Sequence, residues 1–88
     1  MKIRKHFIFY GYVQGVGFRF RAVNAARSLG LTGWVRNEWD GSVEMEVQGE
    51  KEAIDLLIER LQAGSFIRIE RMEEKEIAVQ SESGFYAR

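Results

Sequence analysis

The order of hydrophobic patterns along this chain restricts its fold more than any other feature. Stretches with the alternation and composition of strands are interrupted by two stretches that repeat apolar residues at helical spacing. The predicted strands cover residues 3–13, 32–36, 43–48 and 67–79, with a possible short fifth strand over 85–87. The first predicted helix covers residues 18–29. The second carries Ile54, Leu57, Ile58 and Leu61 on one face and ends at Gly64.

This order, βαββαβ with a possible extra strand, predicts a ferredoxin-like α+β sandwich with an antiparallel sheet. Two helices can cover only one face of the sheet, so the other face should be partly wet. The alternation of Glu44, Glu46 and Gln48 with apolar residues supports a strand with one wet face. We expect an irregularity within the fourth strand near Glu73–Glu74. We expect the acidic run 73–76 to form a solvated turn. A length of 88 residues predicts one domain over residues 1–88.

Composition excludes several kinds of site. The chain has no cysteine, so it has neither disulfides nor a thiolate nucleophile. Its single histidine, His6, leaves no histidine cluster for zinc, and we expect neither a metal nor a cofactor. His6 lies in the middle of the first predicted strand, where we expect a surface or interface residue. The sequence shows no membrane span and no signal peptide, so we expect a cytoplasmic protein. We also expect a monomer.

The net charge of zero hides a strong asymmetry. Residues 1–37 contain seven Lys or Arg and no Asp or Glu, whereas residues 38–88 contain six basic residues and all 13 acidic ones. Such asymmetry can mark an anion-binding half, or the two halves can neutralise each other across a shared fold. A general nucleic-acid binder usually carries a basic surplus, which this chain lacks.

The most informative segment joins the first strand to the first helix and reads GYVQGVGFR over residues 11–19. Its closely spaced glycines, Gly15 and Gly17, permit backbone angles at which successive N–H groups face one concavity and bind an anion. The helix that follows begins with Arg19 and Arg21 and has no acid in its first turn, an unfavourable choice unless a negative group binds there. A plain tight turn with solvent-facing arginines is the alternative. The segment is not a P-loop, because no Gly-Lys-Ser/Thr follows.

A second segment, GWVRN over residues 33–37, ends the second predicted strand. In a ferredoxin-like fold this end of the strand can approach the glycine loop. Asn37 carries a donor and an acceptor on one amide and can hold a water beside an oxyanion. Alternatively, Asn37 only shapes the turn into Asp40-Gly41, which is a hairpin signal.

Together, the segments 11–19 and 33–37 resemble the paired signature of acylphosphatases, and the resemblance extends over essentially the whole chain. It implies hydrolysis of the carboxyl–phosphate anhydride of a small acyl phosphate without metal, with inorganic phosphate as product and competitive inhibitor. It also implies that Arg19 binds the phosphate, that Asn37 positions the attacking water, and that a loop cradles the phosphate. The loop residues are Gln14, Gly15, Val16, Gly17, Phe18 and Arg19. Gly64-Ser65 departs from the Gly-Pro often found in the family, and the ending at Phe85–Arg88 is only close to the usual aromatic one.

Two alternatives stay open. The first is a non-catalytic phosphate-binding accessory domain, like the acylphosphatase-like domain of larger carbamoyl-transfer maturation proteins. The second is an RNA-binding ferredoxin-like domain, in which the aromatic residues would stack on bases. Such aromatics more often belong to the core; they are Phe7, Phe9, Tyr10, Tyr12 and Phe18.

Overall fold

The fold is one five-stranded sheet with two helices on one face, described here from a computed structural model of residues 1–88. The elements are β1 (Lys2–Tyr12), α1 (Phe18–Ser28), β2 (Thr32–Asn37), β3 (Val43–Glu50), α2 (Lys51–Gln62), β4 (Arg68–Ile77) and β5 (Phe85–Ala87). The strand order across the sheet is β4-β1-β3-β2-β5. Neither helix has the length and apolar character needed to span a membrane.

The predicted ferredoxin-like fold is confirmed, including the short fifth strand. The four longer strands are antiparallel to their neighbours, as predicted, but β5 pairs with β2 in parallel, so the complete sheet is mixed. After β4 the chain crosses the whole sheet to the opposite edge. It then enters β5 beside β2 and runs in the same direction as β2, which makes this pair parallel. Its main-chain bonds with β2 continue to Arg88, whose N–H donates to the Val35 oxygen at 2.8 Å.

The core lies between the sheet and the helices. Alternate residues of β1 and β3 point toward the helices, and Phe7, Phe9 and Met45 are each at most 1% exposed. Phe18 of α1 packs against Phe9, with their ring centroids 5.0 Å apart. Burial of one such side chain stabilises the fold by about 1.5–3 kcal/mol. Phe7, Phe9 and Phe18 belong to the core, as expected. Tyr10 and Tyr12 do not, because Tyr10 is half-buried beneath Arg71 and Tyr12 is 62% exposed.

The acidic run in β4 does not form the predicted turn. Residues 73–76 are in regular antiparallel register with β1, in which Phe7 faces Glu74. β4 lies at an edge of the sheet, where charged side chains can reach water, and Lys5 pairs with Glu74 at 2.9 Å. The irregularity was also predicted in the wrong place. It falls where Tyr10 pairs with Arg71 but Gly11 pairs with Ile69, which leaves Glu70 as the extra residue of a bulge.

Residues 78–84, which we call the crossover segment, pass over the helix-free face of the sheet from β4 to β5 at the opposite edge. Arg4 lies beneath this segment and is 1% exposed. Its guanidinium donates to Glu46 at 2.9 Å and to Glu82 at 2.6 Å. The side-chain amide of Gln48 donates to the Gln80 main-chain oxygen at 2.7 Å. The face predicted to be wet is therefore partly covered, by polar groups that satisfy one another.

The Arg4–Glu82 pair should make the fold less stable in acid. Desolvation by burial raises the pKa of the Glu82 carboxyl, but the hydrogen bonds and the charge of Arg4 outweigh it and leave the pKa below its ordinary value of 4.5. A carboxyl with a lowered folded-state pKa stabilises the fold above its unfolded-state pKa, and this contribution disappears as the pH falls through the folded-state pKa. At neutral pH we expect Glu82→Gln to lower the free energy of unfolding by about 2 kcal/mol, because it weakens charged hydrogen bonds to a buried guanidinium.

Urea unfolding between about pH 7 and about pH 3 measures this effect. The stability difference between wild type and Glu82→Gln should narrow as the pH falls below 4.5. Glu76→Gln is the matched control, because Glu76 is exposed and makes no salt bridge. A stability difference for Glu82→Gln that is constant across this pH range would contradict the assignment.

Candidate active site

The loop between β1 and α1 leaves a row of main-chain amides without partners. Gly15 and Gly17 have φ angles of 71° and 80°, in the left-handed region that favours glycine. The first helical hydrogen bond runs from the Arg21 N–H to the Gly17 oxygen, at 3.0 Å. The amide hydrogens of residues 14–20 donate to no backbone or side-chain acceptor of the protein. A left-handed residue beside a helix start is the backbone arrangement that forms anion-binding concavities.

The side-chain charge at this end of α1 is positive. No acid lies in the first turn, no side chain caps the helix, and neither Arg19 nor Arg21 pairs with an Asp or Glu side chain. The guanidinium of Arg19 is exposed and donates only to the main-chain oxygen of Arg88, at 3.2 Å. The positive end of the helix dipole therefore adds to these charges and favours an anion.

Asn37, the last residue of β2, is the second predicted site residue. It is half-buried and faces Val43 across the hairpin. Its side-chain amide makes no hydrogen bond within the protein, whereas the turn itself is held by Asp40, which accepts from the Ser42 N–H at 2.9 Å and from the Ser42 hydroxyl at 2.6 Å. Because other residues shape the hairpin, the turn does not require the Asn37 side chain.

Gln14 joins the loop to this hairpin. Its Nε2 donates to the main-chain oxygens of Glu38 and Ser42, at 2.7 and 2.8 Å. These two bonds hold the amide row against the end of β2 and bring the two predicted site segments together. The Gln14 side chain is thereby occupied, so only its main-chain amide is left for an anion. This bridging role is not evident from the sequence, since nothing in the local pattern indicates which carbonyls a glutamine will reach.

The other titratable groups do not converge on the loop. His6 lies on the helix-free face, with Nε2 at 2.6 Å from Glu44. No group of three or more His, Asp or Glu side chains in the chain is arranged to hold a metal ion. The loop therefore offers amide hydrogens, guanidinium groups and one carboxamide. This set is suited to binding and orienting an oxyanion and does not include a side-chain base.

Several known proteins are similar to this chain. A family model described as "Acylphosphatase" matches residues 5–87. The chain is 42% identical over 92 residues to the acylphosphatase of Geobacillus kaustophilus, a match that covers 93% of this chain and 98% of that one. It is 55% identical over 62 residues to that of Bifidobacterium longum, which covers 70% of this chain and 64% of the relative.

Solved structures share the fold. The chain superposes on the acylphosphatase from Bacillus subtilis with a TM-score of 0.90 and 30% identity, covering 97% of each chain. It also matches T. kodakarensis HypF with a TM-score of 0.80 and 35% identity, but all of this chain corresponds to only 12% of that protein. The same fold therefore occurs as a small part of a much longer chain.

Proposed function

This chain belongs to the acylphosphatase family, and on that premise we propose that its β1–α1 loop and Arg19 bind the substrate phosphate while Asn37 orients the attacking water. The single observation that carries the proposal is the row of unpartnered amides at residues 14–20, held by Gln14 against the hairpin that bears Asn37. The substrate is a small acyl phosphate, and inorganic phosphate is both product and competitive inhibitor.

Phosphate binding in this site is electrostatic and directional. The amide hydrogens of residues 15–18 donate to the nonbridging oxygens of the phosphoryl group. Arg19 can contact two of these oxygens at once with its planar fork, which a lysine cannot do. The dipole of α1 adds to the same attraction. In the transition state the phosphoryl group becomes planar and its charge is spread over these three oxygens, so donors fixed in advance at their positions stabilise it more than they stabilise the substrate.

The chemical step needs one water and no covalent enzyme intermediate. The water oxygen forms a bond to phosphorus while the bond from phosphorus to the bridging oxygen breaks, and the acyl group leaves as a carboxylate. The site lacks a side-chain base, so the water proton passes to the phosphate, which departs as inorganic phosphate. Asn37 accepts from the water and donates to a phosphoryl oxygen, which fixes the line of attack. A carboxylate is a good leaving group, so positioning and charge stabilisation suffice.

Nuclear magnetic resonance tests the binding step without turnover. Titration of ¹⁵N-labelled protein with inorganic phosphate should shift the amide signals of residues 15–19, because these hydrogens acquire a charged acceptor. The signals of Gly30, which follows the opposite end of α1, and of Gly84, which precedes β5, are the internal controls. Phosphate should also inhibit the hydrolysis of benzoyl phosphate competitively, with no metal added and with chelator present. The proposal fails if the loop amides keep their positions at saturating phosphate or if chelator abolishes turnover.

The likeness to a small part of HypF supports one alternative, an accessory phosphate-binding domain. Turnover of benzoyl phosphate by the 88-residue chain alone would exclude it. The alternative of RNA binding has less support, because the net charge of the chain is zero and residues 78–84 cross the helix-free face of the sheet. We further propose that residues 1–88 act as a single cytoplasmic domain and as a monomer that does not bind nucleic acid.

A further inference from the structure

A groove lies beside α1, on the flank of the β1–α1 loop away from the β2–β3 hairpin. Val16 and Gly17 of the loop form its near end, and the segment 64–67 forms its far wall. We call this the α1 groove. It has a volume of about 530 Å³, which is in the range of small-molecule sites. Because Gly17 belongs both to the amide row and to the groove, a molecule held by its phosphate can extend directly into it.

The lining of the α1 groove mixes apolar, polar and basic residues and contains no acid. Phe20 on α1 and Phe66 on the far wall both border it, and these residues are 76% and 79% exposed. The guanidiniums of Arg21 and Arg60 also border it and make hydrogen bonds only to the Arg60 main-chain oxygen and to Ser28. Two exposed aromatic rings beside unpaired cations suit an apolar group attached to an anion.

The geometry of phosphoryl transfer selects this groove. The attacking water and the leaving oxygen lie on opposite sides of phosphorus. Asn37 holds the water on the side of the phosphate toward β2. The acyl group then leaves on the opposite side, toward β4, because β2 and β4 lie on opposite sides of β1 in the sheet. The segment 64–67 leads into β4 at the end of the sheet where Tyr12 pairs with Arg68. A second depression lies beside β5, and it is lined by Arg19, Phe20, Val23, Arg27, Tyr86 and Ala87. Arg19 and Phe20 thus border it as well, but it lies on the β2 side of the loop, toward the attacking water.

Resting on the proposed function above, we propose that the α1 groove holds the acyl group of the substrate. Phe20 and Phe66 are then specificity-determining residues that favour a bulky apolar or aromatic acyl group over an acetyl group. An acetyl group ends close to the bridging oxygen and reaches neither ring. A benzoyl group is long enough to lie between the loop and Phe66 and to leave the groove as benzoate past Arg21.

The ratio of kcat/KM for benzoyl phosphate to kcat/KM for acetyl phosphate tests this inference. Phe66→Ala should lower the ratio by about 10-fold, because it exposes apolar area that the benzoyl ring otherwise covers. Turnover of acetyl phosphate and the inhibition constant of inorganic phosphate should stay at wild-type values, because the phosphate site is untouched. Phe66→Glu should lower the ratio further, because it places a charged carboxylate where the apolar benzoyl ring would otherwise pack.

Two aromatic residues on the other flank are matched controls. Trp39, which is 97% exposed on the hairpin, and Tyr86, which lines the depression beside β5, should both be replaceable by alanine without a change in the ratio. An unchanged ratio in Phe66→Ala and Phe66→Glu, or a lowered ratio in Trp39→Ala or Tyr86→Ala, would overturn the inference. If the variants still turn over acetyl phosphate normally, either outcome contradicts the role of the α1 groove and not the proposed phosphate site. Failure of the proposed function would instead appear as wild-type protein that binds no phosphate.

Discussion

Replacing Arg19 by alanine should lower kcat/KM by at least about 100-fold, the effect of removing one preorganised oxyanion donor. The inhibition constant of inorganic phosphate should rise by about 10- to 100-fold, because a charged hydrogen bond to a bound anion is lost. Stability should change little, since the guanidinium is exposed and has a single hydrogen bond, to the Arg88 main-chain oxygen at 3.2 Å. Steady-state kinetics with benzoyl phosphate, together with thermal unfolding, measure both quantities.

Arg19→Lys separates charge from shape. It retains the positive charge but loses the fork that contacts two oxygens, so part of the phosphate affinity should return while turnover stays low. Arg71→Ala is the control for the change in net charge, because Arg71 is exposed on β4 and pairs with Glu73. Wild-type turnover in Arg19→Ala, or an equal loss in Arg71→Ala, would show that Arg19 does not contact the substrate.

Replacing Asn37 by alanine should have a different kinetic signature. We expect kcat to fall by about 100-fold, since the water loses its orientation, while inorganic phosphate inhibits nearly as before. Acetyl phosphate is the substrate of choice, because its small acyl group does not depend on the α1 groove. The measurement compares kcat and the phosphate inhibition constant in the same preparation.

Gln62→Ala provides a control for the loss of a side-chain amide, because Gln62 is exposed on the last turn of α2 and makes no hydrogen bond within the protein. Asn37→Asp tests the donor separately. It keeps the size and the acceptor but places a negative charge beside the phosphate, so it should weaken inhibition as well as turnover. Full activity in Asn37→Ala would show that another group positions the water.

Helices and strands with a strong hydrophobic period were predictable from the sequence. In β3, Val43, Met45 and Val47 alternate with polar residues, and the structure buries all three completely. The second helix shows its apolar stripe equally clearly, and Ile54, Leu57 and Leu61 lie in the core. Here local pattern and tertiary burial agree, because one face of each element meets the core.

Features that depend on tertiary context were not predictable. The acidic run in β4 resembles a solvated turn because its charges hide the strand period, yet an edge strand can keep both faces in water. The residues of the site were named from the glycine spacing and the family resemblance. The bond from Gln14 to Glu38 and the pairing of Arg4 with Glu82 join residues 24 and 78 positions apart, and no local pattern encodes such pairs.

The charged β4 edge also affects the tendency of the protein to aggregate through its sheet. A sheet edge presents unpaired main-chain groups that can recruit a strand from another molecule. At this edge, Glu70, Glu73 and Glu76 are exposed and β4 bulges at Glu70, while the opposite edge is a strand of only three residues. A second copy that extended the sheet here would have to cover a strand rich in charged side chains of both signs and match the bulge. The glutamates that hide the strand period in the sequence thus also disfavour the edge-to-edge stacking of fibrils.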